Sequence, residues 1–391
     1  MRAQIFTRNS FGWQYPFSLI IYLLINGLFL LKYASRMMEH GGLAVLIYAL
    51  CIAGALVVFP RVPQRFNKAI FGVVSVLVLA GIVVLHQMID PLTVDVDRWS
   101  AIDHFLQRLL QGEYPYLAQT HLGGYGSPFP FWNFFHLPFY ALGDVGIGMI
   151  AVVTGLIFSI KRITGSYSGA AVFMLALAAS PAFWYEVAVR SDLLYNFILC
   201  FLIGFWWLHS KITVRNSVWL TAIVSGFMLS TRLSVIIPFV MLLFPGFVAA
   251  GWKIRIQFVA IAALCFILSF LPFIVWDFNQ LVFFQYNPFV LQTRQGSVVE
   301  MFLLLGILLP LSLWWKGNPQ RYATFTVITI VVFVGATFLH RMITDQFQSD
   351  LFSSRYDITY FNMSLPYVLL VLSGYGNSGL AESDKPANTP V

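Results

Sequence analysis

Residues 69–89 read AIFGVVSVLVLAGIVVLHQMI, and position 90 is an aspartate. These 21 residues, with His86 as the single ionisable side chain, can cross the hydrocarbon core as one helix, which takes roughly 20 apolar residues. The next stretch, 90–136, breaks that pattern: DPLTVDVDRWSAIDHFLQRLLQGEYPYLAQTHLGGYGSPFPFWNFFH. It gathers four of the chain's sixteen carboxylates, Asp90, Asp95, Asp97 and Asp103, within fourteen residues. So few acids, clustered beside one span end, predict a reaction site there.

The rest of the chain extends this reading. Hydrophobic residues fill 59% of 391 positions, charged ones 10%, and mean hydropathy is +0.79. These values predict an all-α polytopic membrane protein without a soluble domain of its own. The net charge of +7 is not a nucleic-acid signal, because the basic residues lie in short turns between apolar runs. Cys51, Cys200 and Cys265 fall inside those runs and read as free buried thiols, with neither a disulfide framework nor a metal cluster. The basic start (Arg2, Arg8) and the apolar run 17–31 read as an uncleaved first span.

Twelve spans are expected, near 17–35, 43–60, 69–89, 145–161, 168–187, 193–210, 217–231, 233–250, 256–276, 300–315, 322–340 and 358–374. With the N-terminus cytoplasmic, the inner turns hold fourteen of 23 basic residues, and fourteen of sixteen acids face outward. That bias predicts both termini inside. Spans 217–231 and 233–250 could also be one tilted helix; placing Arg232 at an outer hairpin tip avoids roughly 2.5–3.5 kcal/mol of insertion cost. Residues 1–374 thus form one integral-membrane domain, and the small, polar 375–391 reads as a disordered cytoplasmic tail.

Within the long outer loop, Trp99, Ile102, Phe105, Leu106, Leu109 and Leu110 recur at helical spacing, opposite Ser100, Asp103, Gln107 and Gln111. The pattern predicts an amphipathic helix on the outer leaflet, closed by Gly112. Phe129 to Tyr140 gives a second aromatic segment at headgroup level, and the two would roof a cavity open to lipid and water.

Asp97 opens that helix fifteen residues before Gly112, and Gly112, Tyr114, Pro115 and Tyr116 form a Gly-x-x-Pro-Tyr turn. This arrangement resembles the membrane-embedded, lipid-linked glycosyltransferases of the GT-C superfamily, including protein O-mannosyltransferases and lipid A aminoarabinose transferases. SPFP at 127–130, PAFWYEVAVRSD at 181–192 and SSRYDITYFNMSLP at 353–366 resemble further family motifs, all on the expected outer side. The family's Asp-Glu pair is Asp97–Arg98 here, with Asp95 the candidate stand-in for the second carboxylate. The resemblance implies a GT-C fold and inverting transfer of a monosaccharide, a hexose such as mannose, from a polyprenyl-phosphate donor to a lipid, glycan or protein acceptor.

Each candidate residue carries a functional and a structural reading. Asp97 is either the general base for an acceptor hydroxyl or the N-cap of the loop helix. Asp95 and Asp97, two apart, could share a divalent cation, the one candidate cofactor, with His104 and His121 as further ligands or as ordinary hydrogen-bonded histidines. Arg355, next to Tyr356, could clamp the leaving phosphate, or could snorkel or pair with Asp350 or Asp357. Arg190 and Asp192 read as partners across one turn that orient sugar or phosphate, or simply hold two span ends. Tyr114 and Tyr116 could stack on a sugar face or belong to an aromatic belt, and His121 could touch substrate. No Gly-rich phosphate loop points to a nucleotide-sugar donor. The rival classes are a transporter or flippase of a lipid-linked saccharide and a non-catalytic envelope-assembly protein. Absence of glycosylation sites in the outer loops and of organelle signals leans to a bacterial inner membrane.

Overall fold

The computed structural model describes residues 12–34, 41–294, 296–345 and 357–374. It is 80% helix, with no strand among the described residues beyond an isolated bridge between Gln119 and Tyr125. The helices are α1 (Gln14–Ala34), α2 (Gly41–Val58), α3 (Asn67–Met88), α4 (Arg98–Leu110), α5 (Pro130–Ala141), α6 (Ile147–Thr164), α7 (Tyr167–Ala178), α8 (Pro181–Ala188), α9 (Asp192–Ser210), α10 (Val218–Leu229), α11 (Ile236–Val248), α12 (Trp252–Val282), α13 (Pro288–Thr293), α14 (Val298–Trp314), α15 (Pro319–Asp345) and α16 (Leu365–Ser373).

Seven segments among the described residues are long and apolar enough to cross a membrane: Gln14–Tyr33, Gly41–Arg61, Gln64–Met88, Ile147–Thr164, Asp192–Ser210, Trp252–Val282 and Pro319–Ile343. The expected span 168–187 is instead the helix pair α7–α8, bent by 62°. The other four expected spans fold as apolar helices of 10–17 residues, Val218–Leu229, Leu233–Val248, Val298–Trp314 and Ile358–Ser373, at or below the roughly 17 residues of the shortest crossings. Arg232 is extended (φ −154°, ψ 144°) and separates α10 from α11, so 217–231 and 233–250 are separate helices. Apolar side chains stay exposed along α2 (Leu46, Leu50), α3 (Val76, Leu77), α12 (Val259, Leu264) and α14 (Val299, Phe302), a surface suited to lipid.

The interior is organised by α16, every residue of which is buried. It packs against α1, α7, α9 and α15, and a helix apolar on all sides belongs in such a position. Around it, α3 lies on α7, α6 on α9, and α11 on α14 and α15. The α7–α8 break is accommodated by α1. Pro181 cannot continue the α7 ladder, and Ser180 caps α8 by accepting from the Phe183 N–H at 3.2 Å. Buried Asn26 of α1 then accepts from the Ser180 hydroxyl (2.6 Å) and the Ala182 N–H (3.2 Å), while its amide donates to the Tyr22 carbonyl (2.8 Å).

The loops expected on the outer side meet at one end. The Phe129 and Phe131 N–H groups donate to the Thr231 and Ser230 carbonyls (both 3.1 Å), and the Gln292 amide donates to the Ser127 carbonyl (2.8 Å). The amphipathic helix is α4, closed by Gly112 at φ +74°. The Gly112 N–H donates to the Leu109 carbonyl and the Glu113 N–H to the Arg108 carbonyl, a Schellman closure that glycine permits without strain. Its apolar face is covered by protein rather than laid on lipid: Phe105 meets Tyr116 and Phe273 edge-on at 4.9 and 5.8 Å, while Leu110 at the far end stays exposed. Ser100, assigned to the polar face, is fully buried.

Asn26→Leu leaves the Ser180 hydroxyl and the Ala182 N–H without an acceptor. A loss of about 1–3 kcal/mol is expected, read as a lowered unfolding midpoint of the detergent-purified protein.

Candidate functional site

The first turn of α4 sends four consecutive side chains to four different places. Asp97 occupies the N-cap position, yet its carboxylate makes no cap hydrogen bond. Instead Oδ2 accepts from the Thr120 hydroxyl at 2.9 Å. Thr120 is held in turn by Gly124, whose N–H donates to the threonine Oγ1 (3.0 Å) and whose carbonyl accepts the Thr120 N–H (2.8 Å). A Cβ at position 124 would lie 3.0 Å from Asp97 Oδ2, so only glycine leaves this approach unobstructed. Oδ1 has no protein partner among the described residues, and the side chain is partly exposed. Asp97 is therefore oriented through one oxygen and open at the other.

Arg98 turns inward. Its guanidinium pairs with Asp357 and donates to the Ser191 hydroxyl (2.9 Å) and the Thr359 hydroxyl (2.6 Å), with the Tyr360 ring 5.7 Å away. Burial alone would raise the Asp357 carboxyl, but Arg98 and the hydrogen bonds from Thr359 outweigh it and hold the group below the usual aspartate range. Trp99 donates to Asp144 Oδ1 at 2.8 Å. Ser100 meets His121 Nδ1 at 2.7 Å, and His121 Nε2 meets the Val94 carbonyl at 3.0 Å. Both ring nitrogens of His121 are thus hydrogen-bonded within the loop.

Arg190 and Asp192, expected to pair with each other, take separate partners. Arg190, at φ +48° in the turn between α8 and α9, pairs with Asp144 Oδ2 at 2.5 Å and donates to the His86 and Ile89 carbonyls. Asp192, the first residue of α9, receives Arg232 through both carboxylate oxygens (2.6, 2.8 and 3.0 Å) and the Trp132 indole N–H at 2.8 Å. Their side chains are 1% and 6% exposed, so Arg232 is not at an open hairpin tip. A left-handed arginine makes the corner that points the two residues apart. Nearby, fully buried Glu186 accepts from the Asn362 amide at 2.8 Å, joining α8 to the start of the last helical segment.

Tyr114 and Tyr116 are buried between α4, α5 and α12, where Tyr116 packs edge-on against Phe105 and Phe273 and Tyr114 against Trp276. An accessible aromatic pair sits beside Gly124 instead: Tyr125 stacks on Tyr286 with centroids 5.2 Å apart and 12° between planes, and Tyr286 is exposed. Asp90 caps its own turn at the Leu92 N–H (2.9 Å). Asp95 is exposed and makes no bond among the described residues. Burial pushes the Asp103 carboxyl up, with His104 opposing and Asp144 adding to the rise. Among the described residues no three of His, Cys, Asp and Glu converge as a metal site would require; the donor set around Asp95 and Asp97 does not fit a divalent cation. Arg355 and Tyr356 lie outside the described residues. A concavity of about 460 Å³ lies beside the start of α3 and does not include Asp97. No family model, curated protein or solved structure matches the chain.

Sequence reading missed Thr120, Gly124 and Arg98. The double glycine at 123 and 124 was the one local sign of a tight turn; nothing local pointed from Arg98 to Asp357, 259 positions away.

Arg98→Met leaves Asp357 without its cation, and a lowered unfolding midpoint is expected. Because the Asp357 carboxyl is held below its ordinary value near 4, the wild-type advantage over Arg98→Met is full above that value and lost as the pH falls below it. Melting curves of both proteins between about pH 3 and 8 check this; a difference that persists unchanged at the acid end refutes the pairing.

Proposed function

We propose that this protein is an inverting glycosyltransferase of GT-C type that takes a hexose from a polyprenyl-phosphate donor at the outer face of a bacterial inner membrane. The observation that supports this most is Asp97 itself. Its carboxylate stands where a helix cap is expected, is turned away from the helix, is fixed by Thr120 through Oδ2, and keeps Oδ1 free. A cap would be spent on backbone N–H groups; a general base needs one oriented, unoccupied oxygen.

In this reading the acceptor hydroxyl, on a lipid, glycan or protein, gives its proton to Asp97 Oδ1. Its oxygen bonds to the anomeric carbon as the bond to the polyprenyl-phosphate oxygen breaks on the opposite face, inverting the configuration. Arg355 and Tyr356 serve the leaving phosphate, whose charge a guanidinium can accept through two oxygens. Arg98 acts as a positioning residue, because its pairing with Asp357 ties the Asp97 turn to the chain two residues beyond Arg355. Several long apolar helices suit a donor whose tail lies between helices while its phosphate stays at the interface.

Export of a lipid-linked saccharide is the second reading. It draws on the 62° bend between α7 and α8 and on the buried charges Glu186, Arg190 and Asp192 at its far end, since broken helices often line transport sites.

Asp97→Asn in proteoliposomes supplied with labelled polyprenyl-phosphate sugars should lower transfer by roughly 10²–10⁴-fold while elution profile and melting midpoint stay unchanged. Undiminished transfer by the variant removes Asp97 from the reaction. Movement of label across the bilayer without transfer, equal in both proteins, favours export.

A further inference from the structure

Arg98 pairs with Asp357, Arg190 with Asp144 and Arg232 with Asp192, and one buried acid at the same end is left over. Glu186 of α8 is 0% exposed and meets no cation in an ion pair among the described residues. Arg98 is the cation within electrostatic range of it, and its guanidinium is taken by Asp357, Ser191 and Thr359. Asp357 is the other charge in range, and it repels a carboxylate. Tyr185 on α8 and Tyr195 on α9 bring hydroxyls to the same region. Of the other helices packed on α8, α1 carries Lys32 and Tyr33 near Tyr185, α3 carries His86, α9 carries Asp192, and α7 has only Tyr167, at its far end. None of these pairs with Glu186.

The hydrogen bonds show the same deficit. Asn362 Nδ2 donates to Glu186 Oε1 at 2.8 Å, yet Glu186 Oε2 and Asn362 Oδ1 are both buried and have no partner among the described residues. In a carboxylate and an amide these are two acceptors, which bond only when a hydrogen is placed between them. Turning the amide over exchanges its ends and leaves the need for that hydrogen unchanged. Ser191 lies close to the same carboxyl, but its hydroxyl, like a water molecule, supplies a hydrogen bond without a counter-charge. A carboxyl taken out of water with no cation beside it neutralises itself instead. We propose that Glu186 is a proton-binding site: Oε2 carries the proton and donates it to Asn362 Oδ1, so that acid and amide join through two reciprocal hydrogen bonds. A metal cation suits the place less well, because the amide N–H already points at Oε1. The bound proton latches α8 to the last helical segment, since its loss strands a charge and breaks one of the two bonds. Glycosyl transfer does not use this proton.

The test is isotope-edited infrared spectroscopy of the intact protein in a maltoside detergent, which has no carbonyl band of its own. Carbon-13 placed at the glutamate carboxyl shifts glutamate bands alone, and the sequence holds five glutamates. At about pH 7, well above the ordinary glutamate value near 4.3, the wild type shows a protonated-acid carbonyl band that moves on labelling. E186Q, which keeps an uncharged side chain of the same shape, loses that band. Asn362→Leu retains it at higher frequency, as an acid carbonyl does when its hydrogen bond is lost. No labelled acid band in the wild type, or one that E186Q retains, overturns the proposal. A band that Asn362→Leu leaves unmoved overturns it too, because Asn362 is then not the partner. So does conversion of the band to carboxylate when sodium replaces choline at the same pH, since the site then holds a metal cation. Should E186Q fail to purify, E186A takes its place, and an absent band in the labelled wild type refutes the site without any variant.

Discussion

A charge that leaves water must take its counter-charge along, and the polar end of this bundle is built around that constraint. Arg98 pairs with Asp357, Arg190 with Asp144 and Arg232 with Asp192. Each pair joins segments far apart in sequence, so electrostatic satisfaction and tertiary closure are the same event. Taking one member from a buried pair typically costs 3–5 kcal/mol because its partner is stranded. The long loop before α6 is therefore no appendage. It is clamped to the ends of α3, α9 and the last helical segment.

Against that background Asp97 differs from its neighbours. Asp144, Asp192 and Asp357 spend their oxygens on cations, indole N–H groups and backbone donors. Asp97 receives a single hydroxyl, from Thr120, and is bounded on that side by a glycine with no side chain to obstruct it. The adjacent Arg98 anchors the turn rigidly. A carboxylate that is oriented but not neutralised is what proton abstraction requires, and it sits directly beside the anchor. The exposed Tyr125–Tyr286 stack next to Gly124 extends the same surface.

The candidate site was half legible. Asp97 could be chosen from the acid cluster and the helix pattern after it, because both are local. The roles given to His121, Tyr114 and Tyr116 rested on residue type, whereas their contacts depend on packing: His121 bonds to Ser100 and Val94, and the tyrosines pack against Phe105, Phe273 and Trp276. Arg190 and Asp192 look like neighbours on paper, yet the left-handed backbone at Arg190 turns them apart. Arg232 looked like a loop-tip cation and is a buried one.

What the sequence determined by itself is whatever depends on composition and short-range periodicity. That includes helical, membrane-embedded character and the amphipathic α4 with its glycine stop. Only the tertiary structure decided which carboxylate meets which guanidinium, that the α7–α8 segment bends where Asn26 can serve its loose donors, and that Asp97 keeps one oxygen open. The reason is physical. Apolar runs announce themselves within a window of about twenty residues, whereas the three ion pairs at this polar end are chosen by distance in space, and their partners lie 259, 46 and 40 positions apart.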